Sequence, residues 1–195
     1  MLSPTEIRAR YERVQAEVGA AVTVVAATKY VSLAEMAILA EAGIGVVGEN
    51  RVQDLLAKHA TYGSAFAWHF IGHLQSNKVN AVNRTCELVH SLDSHSAAER
   101  LEVPALLQVN LAREATKGGV SLDEIGDYLR YGIRGLSTMP PAADDPELSR
   151  EWFRRLRGLA AEYGLTEISM GTTQDYRVAA EEGATYVRVG SVLFR

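Results

Sequence analysis

The chain has 195 residues, 47% hydrophobic and 23% charged, the balance of an ordinary globular protein with one sizeable core. A formal net charge of -4 argues against nucleic acid as a partner, and the single cysteine, Cys86, excludes an intrachain disulfide and a paired-cysteine metal site. Residues Met1 to Arg8 hold no apolar signal core and no apolar run nears the roughly 20 residues of a membrane span, so a cytoplasmic protein without membrane contact is expected.

Helix and strand patterns alternate along the chain. Ser3-Pro4-Thr5-Glu6 predicts a helix start, with an N-cap, a proline in the first turn and a capping-box glutamate. Ile7, Tyr11, Val14 and Val18 then repeat on one face. Val22 to Thr28 reads as the first strand. Ser32 to Glu35 is a second capping box, and Gly43 closes its helix. Further strands are predicted at Ile44 to Gly48, Ala67 to Gly72, Leu88 to Leu92 and Ala105 to Val109. After a third capping box at Ser121 to Glu124 come strands at Ile133 to Ser137, Glu167 to Gly171 and Tyr186 to Val189. Between the last three lie a helix opened by Asp145-Pro146, with Trp152, Leu156, Leu159 and Tyr163 on one face, and another ended by Gly183.

Each strand is a buried-type apolar run, as parallel strands require. A leading helix followed by about eight βα repeats is the layout of a TIM barrel, here shorter than the ~250 residues usual for that fold. The segment Asp93 to Pro104 leaves little room for a fourth helix. An open doubly wound sheet is the alternative. No repeat or linker divides residues 1–195, so one domain is expected.

In a TIM barrel chemistry gathers at the C-terminal ends of the strands, and the unusual polar residues of this chain fall there. Lys29 ends the first strand, where desolvation in the barrel mouth would favour the neutral amine used in imine formation; the plain alternative is a solvated lysine. Lys78 and Lys117 compete for that role from positions expected to be exposed. Asn50 follows the second strand and either caps the next helix or faces a ligand. His69 lies within the third strand, as a core residue or a ligand contact. His69 and His73 flank a strand break at Gly72 and do not share a helical face, so no metal site is expected.

Two segments look built for an anion. Ser169-Met170-Gly171-Thr172-Thr173 leaves the seventh strand, and Arg188-Val189-Gly190-Ser191 leaves the eighth. Phosphate sites of this fold sit there, where small residues admit backbone N–H groups and Ser169, Thr173 and Ser191 add hydroxyls. Arg188 within the last strand needs either an acidic partner or a ligand atom, such as a pyridine nitrogen.

Together these residues resemble the YggS/PROSC family of pyridoxal phosphate homeostasis proteins. The resemblance rests on Lys29 after a strand, Gly48-Glu49-Asn50, the run from Trp68 to Lys78, and Gln108-Val109-Asn110. Thr116 to Gly119, Gly135-Leu136, Ser169-Met170-Gly171, Asp175 and Val187 to Gly190 extend it over nearly the whole chain. It implies a single-domain TIM barrel similar to the alanine racemase N-terminal domain. It also implies a cytoplasmic monomer that carries or regulates pyridoxal 5′-phosphate (PLP) without catalysing a reaction, with PLP-dependent apoenzymes as partners. Lys29 would form the Schiff base, and Asn50 and His69 would line the ring. Ser169, Met170, Gly171, Thr173, Gly190 and Ser191 would form the phosphate end, and Arg188 would face the ring nitrogen. Thr172-Thr173 replaces a usual Met-Ser, and Ser137 a usual methionine. Two other readings use the same residues: a PLP-dependent amino-acid racemase and a Schiff-base aldolase acting on a phosphosugar.

Overall fold

The computed structural model describes residues 2–114 and 118–195. Lys117 and its neighbour Thr116 therefore lie outside the described residues. Eight parallel strands close into a barrel in sequence order. They are β1 (Thr23–Ala27), β2 (Val46–Glu49), β3 (Ala67–Phe70), β4 (Leu88–Leu92), β5 (Ala105–Gln108), β6 (Gly135–Ser137), β7 (Glu167–Thr172) and β8 (Tyr186–Val189). The expected TIM barrel is thus the observed fold, and the open sheet is excluded by pairing of β1 with β8.

Small shifts in strand bounds have local causes. Ile44, expected to open β2, instead closes the preceding turn by donating its N–H to Leu39 O. β3 stops before Ile71, and Val109 leaves β5 to make an isolated bridge with Val120.

Helices cover the barrel. The leading helix α1 (Pro4–Val18) starts as expected: Ser3 Oγ accepts from the Glu6 N–H at 3.3 Å, and Glu6 Oε2 accepts from the Ser3 N–H at 2.8 Å. Its buried face is Ile7, Val14 and Val18. Ser32 and Glu35 make their reciprocal bonds one turn before α2 (Met36–Glu41). Next come α3 (Val52–Tyr62), α4 (Val79–Asn83), α5 (His95–Ala98), α6 (Ile125–Tyr128) and α7 (Arg150–Glu162). α5 is a single turn, all that the short β4–β5 connection admits. α7 buries Phe153, Leu156 and Ala160, a face rotated from the expected one because Trp152, Leu159 and Tyr163 are only partly buried at its margin. α8 (Tyr176–Glu181) precedes β8, and the one-turn α9 (Ser191–Phe194) follows it. Among the described residues no helix is long and apolar enough to cross a membrane.

Strand alternation divides the interior in two. Val24, Ala26, Val47, Trp68, Phe70, Ile168, Met170, Val187 and Val189 face outward into one apolar core beneath the helices. Inward positions are small or polar instead: Gly48, His69, His90, Gly135, Ser137, Ser169 and Arg188, with Val25, Leu88 and Leu106 among them. The barrel lumen therefore carries polar side chains set among a few apolar ones.

Gly135 shows how closely β6 approaches β7. A Cβ there would lie 1.7 Å from the backbone oxygen of Glu167 on the paired strand β7. Gly135→Ala must break that pairing, and a loss of about 3 kcal/mol or more is expected. Gly158, inside α7, has nothing within 4 Å of an ideal Cβ. Gly158→Ala is expected to gain about 0.5–1 kcal/mol from helix propensity. Urea unfolding of both variants checks the pair, and equal effects would contradict the packing described.

Candidate functional site

At the C-terminal mouth of the barrel lies a cavity of about 450 Å³. Six of the residues singled out from sequence line it: Lys29, Asn50, Thr173, Arg188, Gly190 and Ser191. They come from the ends of β1, β2, β7 and β8 because parallel closure points all those ends one way. The register sets Val25 beside Arg188, so the β1 and β8 contributions are adjacent. Apolar walls come from Ile71, Met139 and Phe194, which sequence patterns alone did not mark.

Lys29 is exposed, so the barrel mouth does not supply the expected desolvation. Its Nζ lies 5.0 Å from the Tyr30 ring centroid, and the Arg195 guanidinium lies 5.3 Å from the same ring. The strand that carries Lys29 is nevertheless fixed. Thr28, facing outward, donates through Oγ1 to Glu49 Oε1, and buried Lys58 donates to Glu49 Oε1 and, at 2.8 Å, to Thr28 O. This buried ion pair between β2 and α3 ties the end of β1 to the end of β2. Removing one partner of such a pair strands a charge in the core.

Asn50 does not cap α3. The N-cap position is Arg51, and no side chain caps that helix. The Oδ1 atom of Asn50 is buried without a hydrogen-bond partner among the described residues, on the cavity wall. An unmet buried acceptor costs about 1–3 kcal/mol, which a ligand donor would recover.

At the anion end, Thr173 Oγ1 accepts the Gly190 N–H at 3.1 Å and so joins the two turns proposed from sequence. Asp175 Oδ1 accepts from the N–H and, at 3.1 Å, the hydroxyl of Thr172, which folds the chain back after β7. Gly171 stands at φ +89°, where the β7–β8 register slips by one residue between Ser169 and Thr172. That bulge brings Thr172 opposite Arg188.

Four of the proposed residues stand away from the cavity wall. Met170 faces outward and packs in the apolar core, and Gly171 backs onto Ala179 of α8. His69 and Ser169 lie deeper in the lumen, in a chain that sequence reading did not resolve. His69 Nδ1 meets His90 Nε2 at 2.9 Å, His90 Nδ1 meets Ser169 Oγ at 2.7 Å, and Ser169 Oγ accepts from Arg188 Nη1 at 2.9 Å. Arg188 Nη2 donates to Thr138 O at 2.8 Å. His90 was the missed member; a histidine inside an otherwise apolar buried strand was its signal.

Electrostatically the cavity is one-sided. Lys29, Arg188 and Arg195 line it, and no Asp or Glu side chain does. Arg188 is buried and forms no salt bridge with a carboxylate among the described residues; burial lowers its pKa to about 10. Among the described residues no cluster of three or more His, Cys, Asp or Glu side chains is placed to hold a metal.

Burial pushes the His69 pKa down to about 4 from an ordinary 6.5 and holds His90 well below that ordinary value. Their neighbours are each other, Tyr186 and Arg188. The folded state binds the proton less readily than the unfolded chain, so stability is full above about pH 6.5. It falls as pH drops toward about 4, by about 3 kcal/mol for His69. Urea unfolding across that window checks this, and a His69→Gln variant with the same acid loss would refute the assignment.

The whole chain matches known proteins. A family model described as alanine racemase, N-terminal domain, matches residues 2–195. A pyridoxal phosphate homeostasis protein of Aquifex aeolicus is 39% identical over 175 residues, covering 78% of this chain and 77% of the relative. One from Deinococcus radiodurans is 37% identical over 212 residues, covering 99% of this chain and 100% of the relative. The structure of PipY from Synechococcus elongatus, solved with PLP bound, superposes with a TM-score of 0.88 at 31% identity, over 97% of this chain and 100% of PipY. With the barrel, the lysine and arginine ends of β1 and β8, and these relatives in agreement, the chain belongs to the alanine racemase N-terminal domain family, among the pyridoxal phosphate homeostasis proteins of the YggS/PROSC type.

Proposed function

We propose that this chain binds PLP in the barrel-mouth cavity and serves PLP homeostasis as a carrier or regulator, acting as one monomeric cytoplasmic domain over residues 1–195. The observation that carries the reading is the cationic cavity: Lys29 and buried Arg188 face it with no acidic side chain on the wall, in a protein of net charge -4. Such a site suits a phosphorylated heteroaromatic aldehyde. PipY, a relative of similar structure, is known with PLP bound.

The residues divide the work. Lys29 Nζ is the amine that would hold the aldehyde carbon of PLP as a Schiff base, with loss of one water. Thr173 and Ser191 hold the phosphate with hydroxyl and backbone donors, and Gly190, its N–H met by Thr173, leaves room for it beside them. The unpartnered Oδ1 of Asn50 accepts from a group on the ring side. Arg188 presents N–H donors to the ring nitrogen and, as a guanidinium, keeps its protons. PLP supplies an electron sink, and a ring nitrogen left unprotonated weakens that sink. That pairing favours binding over turnover, in keeping with the proposed role of delivering PLP to apoenzymes. A racemase would need a second acid–base group on the opposite face of the substrate. A phosphosugar aldolase would leave Arg188 without a ring nitrogen to meet.

The purified protein is expected to take up PLP with a visible absorption band, and borohydride is expected to fix the cofactor to Lys29. Lys29→Ala loses the fixed adduct, and Thr173→Ala with Ser191→Ala weakens uptake about tenfold or more. Deuterium exchange into alanine is expected to run no faster than with free PLP. A wild-type level of adduct in Lys29→Ala would overturn the lysine role, and rapid exchange would overturn the non-catalytic reading.

A further inference from the structure

We propose that His69, His90 and Ser169 are positioning residues: a polarised hydrogen-bond chain in the barrel lumen that holds the Arg188 guanidinium in place, none of the three touching the ligand. The family resemblance had put His69 and Ser169 on the ligand itself. Neither lines the cavity, while both belong to a continuous chain that ends on Arg188.

The direction of every proton in the chain follows from its end. A guanidinium only donates. Ser169 Oγ therefore accepts from Arg188 Nη1. The Ser169 hydroxyl is fully buried, and the one acceptor left beside it is His90 Nδ1, 2.7 Å away. If His90 Nδ1 carried a proton instead, the hydroxyl hydrogen would face no acceptor in a site closed to water, at a cost of about 1–3 kcal/mol. So His90 is protonated at Nε2, and it donates to His69 Nδ1 at 2.9 Å. His69 is then protonated at Nε2 as well.

The backbone around the chain is equally constrained. Ser137 Oγ donates to His90 O, and the β4–β5 register slips between Val89 and Leu92 where His90 lies. On the far side of the guanidinium, Thr138 O and Met139 Sδ accept from Nη2, the sulfur at 3.1 Å. Three of the donors are thereby spent within the protein. The Nε–H and one Nη1–H remain, in a plane fixed by bonds on both edges. A ligand atom meeting this group must be an acceptor, and it meets donors already oriented.

The part of this inference that concerns PLP rests on the proposed function; the chain itself does not, and the tests separate the two. In ligand-free protein near neutral pH, nitrogen–proton correlation spectra of the histidine side chains are expected to show both His69 and His90 as neutral Nε2–H tautomers. Ser169→Ala is expected to change the His90 Nδ1 resonance and to speed hydrogen exchange of the Arg188 guanidinium about tenfold. An Nδ1–H tautomer at His90, or unchanged Arg188 exchange in Ser169→Ala, overturns the chain whether or not PLP binds. With PLP, Ser169→Ala and His90→Leu are expected to hold the cofactor about tenfold more weakly while borohydride still fixes it to Lys29. His90→Gln, which can accept from Ser169 and donate to His69, is expected to restore most of the affinity. Wild-type affinity in Ser169→Ala overturns the positioning role; no uptake by the wild-type protein overturns the proposed function and leaves the tautomer and exchange results to decide the chain.

Discussion

The pairing of β1 with β8 is the constraint on which the site depends. Four residue pairs close this seam, from Thr23 with Tyr186 to Ala26 with Val189. In an open sheet of the same strands, Lys29 and Arg188 would stand at opposite edges, many strand spacings apart. Closure makes them neighbours, and the parallel sense of every pair sends both to the same mouth. The covalent and cationic anchors of the cavity are thus a product of topology before they are a product of local sequence. The Glu49–Lys58 pair extends the seam by fastening the end of β1 to β2, so the residue next to Lys29 is held on its β2 side.

Closing a barrel on a buried arginine creates a problem that the lumen solves with polar groups. A guanidinium in a low-dielectric interior is unfavourable unless its donors are met. An acidic neighbour would meet them and would also cancel the charge that the cavity presents. The protein uses neutral acceptors instead: a serine hydroxyl, a backbone carbonyl and a thioether. Three of the five donors are satisfied while the positive charge stays available to a ligand. His90 then satisfies the serine and His69 satisfies His90, and burial keeps both neutral so that they do not add a second charge. Glycines at 48 and 135 have no room for a Cβ, which would strike Val25 and Ile71 at the first and the Glu167 backbone at the second.

The strands were legible because parallel strands buried on both sides are continuous apolar runs, and the eight found lie where those runs are. The start of α1 was legible because the Ser3 capping box marks it, whereas the boxes at Ser32 and Ser121 close turns that precede α2 and α6. Positions of side chains relative to the cavity were less so. Alternation makes Lys29 inward and Thr28 outward, and it also sends Met170 to the helix side; a glycine-rich segment conceals that because its bulge shifts the phase. Asn50 was ambiguous, since an asparagine before a helix caps as readily as it binds, and only the position of Arg51 decides. Ile71, Met139 and Phe194 could not be singled out, because an apolar residue on a cavity wall has the same sequence signature as one in the core. The histidine chain was out of reach for a different reason: its members are 21 and 79 residues apart, and only barrel closure brings them together.

The exposure of Lys29 bears on what kind of binding protein this is. A catalytic lysine gains from permanent burial, which lowers its pKa and readies the neutral amine. Here the lysine stands in solvent beside Tyr30, while the hydrogen-bonded contacts belong to Arg188, Thr173 and Gly190. On the proposed reading, recognition is carried by preformed donors that need no rearrangement, and the covalent link is made by an exposed side chain. Water can reach such a link from the open side and reverse it. A site with a fixed floor and an accessible bond favours capture followed by release, the requirement of a carrier. An enzyme that held its cofactor through many turnovers would need the reverse arrangement, with the lysine enclosed.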